Sequence, residues 1–247
     1  MLKPFRLLAL IVLLAATGSA RAGTVNAAIA ANFTKVAEQL AIGFKAQTGH
    51  DLVPSFGATG ALYTQITQGA PFEVFLSADD KRSATAIADG FGVAGTEFTY
   101  AVGKVVLYSP SIDMTDGAAV VASGAFEHIA IADPKTAPYG AAGMAVLDAL
   151  GLTEALASKV VTGENITQTL QFVDTGNAEL GFVALSQVMG KPANQTWLPR
   201  QENYPPIRQN AVLLKQGTEN PAATAFLDFL RSPEALAVIH DAGYETE

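Results

Sequence analysis

From residue 24 onward the chain alternates between short apolar runs and longer stretches in which apolar residues recur every three or four positions. Residues 24–30 (TVNAAIA) predict a buried strand, and Phe33, Val36, Ala37, Leu40 and Phe44 then mark one face of a helix that stops at Gly49. Residues 51–56 predict a second strand, followed by a glycine turn and a helix burying Leu62 and Ile66. Residues 72–76 predict a third strand, and Asp79 or Asp80 can cap a helix running to Gly90. Strand and helix in strict alternation signify a parallel sheet covered on both faces.

The pattern restarts near Ala101. Residues 102–108 and 129–132 predict strands, residues 139–150 a helix closed by Gly151, and Ile166, Leu170 and Val173 another amphipathic helix before a strand over 180–184. Residues 191–210 hold four prolines and few apolar residues, which predicts a connection. A last strand over 211–214 precedes two helices, each opened by a cap residue and a proline, Asn220-Pro221 and Ser232-Pro233. Two α/β units, a returning strand and two final helices predict two lobes, with the chain end folding back onto the first. The expected division is 23–103 plus 209–247 for lobe one and 104–208 for lobe two.

The N-terminus does not belong to that pattern. Lys3 and Arg6 give it a positive start, an apolar run covers residues 7–16, and Ala20-Arg21-Ala22 is a small-x-small cleavage signature. Ten apolar residues are too few for a membrane span, which needs roughly 20. Residues 1–22 therefore read as a secretory signal peptide. Its removal leaves 12 basic against 23 acidic residues, net −11. Such a chain lacks the basic footprint for nucleic acid or for an anionic membrane surface. With no Cys there is no disulfide scaffold, thiolate zinc site, cysteine nucleophile or lipid attachment site. The expectation is a soluble, unanchored monomer in a bacterial periplasm.

Reactive motifs are absent. His50, His128 and His240 stand far apart, and neither H-E-x-x-H, G-x-S-x-G nor a phosphate-binding G-x-x-x-x-G-K-[ST] occurs. Neutral polar chemistry remains, where strands turn into helices: Ala30-Ala31-Asn32-Phe33-Thr34, Phe56-Gly57-Ala58-Thr59-Gly60, Asp133-Pro134 through Pro138-Tyr139-Gly140, and Glu164-Asn165-Ile166. Ligands of open α/β sheets bind at strand carboxyl ends, beside helix N-termini that present unpaired N–H groups. Taken singly, Asn32 and Thr59 read equally well as N-caps, Asp133 as a turn residue and Pro138-Tyr139-Gly140 as a turn. The four segments together, two from each lobe, point to a shared cleft.

The same segments carry a family likeness. Ala30 to Thr34, Ser55 to Gly60, the run Gly69-Ala70-Pro71-Phe72-Glu73-Val74-Phe75-Leu76-Ser77-Ala78-Asp79, Asp133 to Gly140 and Leu180-Gly181-Phe182-Val183 occur in that order along the mature chain. In these pieces the sequence resembles the periplasmic molybdate-binding proteins of ABC importers. The resemblance implies a type II periplasmic binding protein fold, each lobe a sheet flanked by helices with the ligand between them. It implies capture of molybdate and tungstate as oxyanions, delivery to an inner-membrane ABC permease, no cofactor, no directly ligated metal ion and no catalysis. The family's anion-holding positions match Asn32 (a polar side chain), Thr59 (a hydroxyl) and main-chain N–H groups at Ala58 or Thr59, Tyr139 and Ile166, with Ala31 and Ala184 as further candidates. Many members carry a Tyr where this chain has Ala184; either Tyr139 replaces its hydroxyl from across the cleft or one donor is lost. Other readings are a binding protein for sulfate, a phosphonate or an organic anion, and a periplasmic hydrolase with an Asp or Ser nucleophile.

Overall fold

A computed structural model describes residues 22–247; the signal peptide read over 1–22 lies, Ala22 apart, outside the described residues. The chain builds two five-stranded sheets. The first half runs β1 (Thr24–Ala30), a 3-10 turn (Ala31–Phe33) opening α1 (Thr34–Thr48), β2 (Asp51–Gly57), α2 (Thr59–Thr67), β3 (Val74–Leu76), α3 (Asp80–Ala88) and β4 (Phe98–Gly103). The second half runs β5 (Val105–Tyr108), α4 (Gly117–Ser123), β6 (Ile129–Ala132), α5 (Pro138–Ala149), α6 (Thr153–Leu156), β7 (Val160–Gly163), α7 (Ile166–Asp174), β8 (Leu180–Ala184), α8 (Leu185–Val188) and β9 (Thr196–Trp197). The chain then returns to the first sheet as β10 (Ile207–Leu213) and ends in α9 (Pro221–Phe229) and α10 (Pro233–Asp241).

The sheets share one plan. Their strand orders are β2-β1-β3-β10-β4 and β7-β6-β8-β5-β9. In each, three parallel strands are followed by an antiparallel fourth, β10 against β3 and β5 against β8. This is a two-lobe α/β binding-protein fold, with α9 on β1 and α10 on α1 closing the first lobe. Local chemistry explains the element ends. Gly49 takes a left-handed φ of 77° and donates its N–H to Lys45 O, stopping α1. Asp79 caps α3 by accepting the Arg82 N–H, while Asn220 and Ser232 cap α9 and α10 ahead of their prolines.

Two departures from the sequence pattern matter. Residues 102–108 divide into β4 and β5, which end up in different sheets, with Gly103 and Lys104 at the crossing. An unbroken apolar run conceals such a break. The proline-rich region 191–210 is not wholly a connection, because β9 lies inside it and β10 begins at Ile207. β7 and the short helices α4, α6 and α8 carried too little periodicity to be read.

Candidate functional site

Both lobes aim helix starts at the same place. Adjacent parallel strands β1 and β2 lead into α1 and α2, and adjacent parallel strands β6 and β7 lead into α5 and α7. The first N–H groups of a helix have no intrahelical acceptor and sit at the positive end of its dipole. One cavity between the lobes is lined by Asn32, Ala58, Thr59, Tyr139 and Ile166, together with Ala31. Ala184 is not on its wall: it is buried at the end of β8, and its N–H donates to Gln187 Oε1 at 3.0 Å. Asp133 is a turn residue whose carboxylate accepts the Lys135 N–H and whose carbonyl accepts from Ala137.

Each helix start leaves particular donors available. Neither Asn32 nor Thr59 serves as an N-cap; α2 has Ala58 at that position with no side-chain cap bond. Instead, Thr59 Oγ1 accepts the Ala78 N–H at 3.0 Å, leaving the hydroxyl's own proton without an acceptor among the described residues. In α5, Pro138 has no N–H and the Ala141 N–H already donates to Ala137 O, so the unpaired amides are those of Tyr139 and Gly140. A Cβ on Gly140 would lie 2.0 Å from Ala132 O, so only glycine lets this helix start sit tight on β6. In α7, Asn165 Oδ1 accepts from the N–H groups of Thr167 and Gln168, both at 3.0 Å, which singles out Ile166 as the uncapped amide.

Among the described residues no charged side chain lines the cavity, and small apolar residues such as Ala30, Ala58, Ala78 and Ala137 fill the rest of its wall. The lobes meet around it. The Gly60 N–H donates to Thr136 O at 2.9 Å, Thr167 Oγ1 to Ala31 O at 3.2 Å, Arg82 Nη2 to Lys135 O at 2.6 Å and Ser186 Oγ to Asn32 O at 3.1 Å. Among the described residues no group of three or more His, Asp or Glu is placed to hold a metal ion. A small anion ringed by neutral donors is what such a cavity can accommodate.

Similarity to known proteins shows the family of the chain. The family profile described as bacterial extracellular solute-binding protein matches residues 25–245. The chain belongs to that family. Within it, this solute-binding protein is 53% identical over 228 residues to the molybdate-binding protein ModA of Rhodobacter capsulatus, covering 92% of this chain and 90% of that one. It is 52% identical over 230 residues to ModA of Azotobacter vinelandii, covering 92% and 91%. The solved periplasmic molybdate-binding protein of Azotobacter vinelandii superposes with a TM-score of 0.86 at 40% identity, over 90% of this chain and 99% of that one. Among the described residues no single helix is long and apolar enough to cross a membrane.

Behind the cavity the solute-binding protein carries a buried polar cluster that sequence reasoning did not find. Asn32 Nδ2 donates to Gln209 Oε1 at 2.8 Å and to Tyr244 Oη at 2.9 Å. Both side-chain amide protons are thereby committed, so the donor Asn32 can turn to the cavity is its main-chain N–H. This corrects the expectation of a side-chain donor there. Tyr139 likewise directs its hydroxyl away, where it accepts from Gln209 Nε2 at 3.1 Å. A Cβ on Gly103 would lie 1.9 Å from that hydroxyl, so the phenol reaches the crossing between the sheets. The hydroxyl absent at Ala184 is therefore not replaced by Tyr139 in this arrangement. Burial pushes the Tyr100, Tyr139 and Tyr244 phenols above their ordinary range, which keeps all three protonated. The bonds from Asn32 to Gln209 and Tyr244 span 177 and 212 residues, a separation no local pattern reveals.

Proposed function

We propose that this chain captures molybdate, and tungstate with it, in the cavity between its lobes, and delivers the anion from the periplasm to an inner-membrane ABC permease. The observation that carries this reading is a neutral cavity on which four helix starts converge with uncommitted donors. The ModA relatives bear names that specify the same ligand. In this reading Asn32, Thr59, Tyr139 and Ile166 give main-chain N–H bonds, Thr59 adds its hydroxyl, and Ala31 and Ala58 shape the wall. The lobe division expected at 209 falls two residues earlier in this reading, because β10 starts at Ile207, giving 23–103 plus 207–247 and 104–206, and the signal peptide over 1–22 is removed on export.

The energetics suit neutral donors. About five hydrogen bonds to a charged group, each contributing roughly 1.5–3 kcal/mol net, sum to on the order of 10 kcal/mol. Micromolar to nanomolar binding requires about 8–12 kcal/mol. A wall of donors also selects: phosphate near neutral pH keeps an O–H that would meet other donors and find no acceptor, and sulfate is too small to reach every donor at once. Tungstate matches molybdate in charge and nearly in size, so the two should compete closely. Isothermal titration of the chain from Gly23 should give one-to-one, sub-micromolar binding of molybdate and tungstate and no heat with sulfate or phosphate. Equal affinity for sulfate and molybdate would refute the size argument, and no heat with any of the four would refute the ligand.

A further inference from the structure

Gln209 is fully buried in β10, beside the buried apolar residues Ile207, Ala211, Val212 and Leu213 of the same strand, and it is not part of the cavity wall. Its carboxamide nevertheless touches both lobes. Oε1 accepts from Asn32 Nδ2 at 2.8 Å and from the Tyr100 hydroxyl at 3.1 Å, both on the first-sheet side. Nε2 donates at 3.1 Å to the hydroxyl of Tyr139, which stands at the start of α5 on the second sheet. A backbone irregularity builds this position. Pairing of β10 with β4 slips between Gln209 and Asn210, passing from Ala101 to Thr99 and leaving Tyr100 as the extra residue. Such a bulge re-aims side chains, and here it lets Tyr100 meet Gln209. Phe33 packs edge-on against Tyr100 and Tyr244, with ring centroids 4.9 and 5.5 Å apart, which holds the turn carrying Asn32 onto the same cluster.

We propose that Gln209 is the positioning residue of the cavity: from behind the wall it fixes Asn32 on one lobe and Tyr139 on the other, so that closing the lobes and aligning their main-chain donors become one event. A carboxamide offers one acceptor and one donor group at a fixed spacing, and this one uses the acceptor on the first lobe and the donor on the second. Neither function survives replacement by an apolar side chain of similar volume. The fixed orientation of Asn32 also explains why a side chain with amide protons can border an anion cavity without donating into it. The proposal deepens the molybdate reading and rests on it.

The test uses the mature protein carrying Gln209→Met, Tyr139→Phe or both, with molybdate as the probe. Each variant is melted without ligand, titrated by calorimetry, and followed for dissociation by stopped flow after displacement with tungstate. Gln209→Met should weaken molybdate binding 10- to 100-fold, mostly through faster dissociation. Tyr139→Phe should weaken it 3- to 10-fold, and the double variant should bind no more weakly than Gln209→Met alone, because both changes break the same tether. A Gln209→Met protein that melts lower but keeps the wild-type affinity would assign Gln209 to fold stability alone and overturn the proposal. Fully additive losses would overturn it too, since Tyr139 would then act independently of Gln209. If Gln209→Met does not fold, an unchanged affinity in Tyr139→Phe overturns the proposal by itself. Wild-type protein that ignores molybdate would instead refute the ligand, an outcome seen before any variant is compared.

Discussion

The two walls of the cavity are made differently. On the first lobe, side chains govern what the backbone presents: Asn32 is held by Gln209 and Tyr244, and Thr59 Oγ1 is held as an acceptor by the Ala78 N–H. On the second lobe, helix starts do the work, through Pro138, the close-packed Gly140 and the Asn165 cap. The first wall therefore depends on residue identity at a few polar positions, the second mainly on backbone geometry, with the Tyr139 hydroxyl tying its helix start to Gln209 behind the wall. That contrast explains how Tyr139 and Ile166, neither of them an obvious anion ligand by side chain, come to border the cavity that the proposed function assigns to the anion.

Substitutions can break or sharpen the comparison. The largest effect belongs to Thr59→Val, which removes the hydroxyl donor that the proposed function assigns to the anion and leaves the Ala78 N–H unpaired. A hydrogen bond to a charged group is worth about 1.5–3 kcal/mol, so molybdate affinity should fall by roughly 10- to 100-fold in calorimetry, with folding intact by circular dichroism. Unchanged affinity would take Thr59 out of the first wall. Next is Gly140→Ala, whose Cβ would press on the Ala132 carbonyl. Overpacking of this kind costs about 1–3 kcal/mol and should lower both melting temperature and affinity, because α5 has to move away from β6. An unaltered melt would mean that the helix start is less tightly seated than the contact implies.

Asn165→Ala should destabilise the fold by about 1 kcal/mol through loss of a cap, yet change affinity only a few-fold, since the Ile166 N–H remains in place. A loss as large as that of Thr59→Val would erase the distinction between the walls. The smallest effect under ordinary conditions concerns the buried phenols. Tyr100, Tyr139 and Tyr244 titrate higher folded than unfolded, so the unfolded chain gives up their protons first as pH rises. Their contribution to stability is complete below about pH 10 and is lost above it. Denaturant melts should be flat in this respect up to pH 9 and decline beyond 10, less steeply in Tyr139→Phe.

The sequence exposes these two walls unequally. Strand, turn and helix start are adjacent along the chain, so the segments around Asn32, Thr59, Tyr139 and Ile166 could be located from local pattern, and all four border one cavity. Ala184 was suggested by resemblance alone and lies off the wall, its amide taken by Gln187. What supports the first wall was invisible for a physical reason. Gln209 falls in a proline-rich stretch that hides the start of β10, Tyr100 reaches it through a bulge, and Tyr244 comes from the far end of the chain. Apolar periodicity identifies faces of elements, whereas a buried polar cluster is assembled from partners that only the tertiary fold brings together.

The absence of charge from the cavity wall has a kinetic consequence. With net −11 expected for the mature chain, an approaching dianion is repelled at a distance and attracted only once it meets the helix starts. Added salt shortens the range of the repulsion while leaving the buried, short-range attraction nearly untouched. Capture should therefore speed up as ionic strength rises, opposite to the behaviour of a receptor that draws its anion in with lysines and arginines, while release stays almost constant.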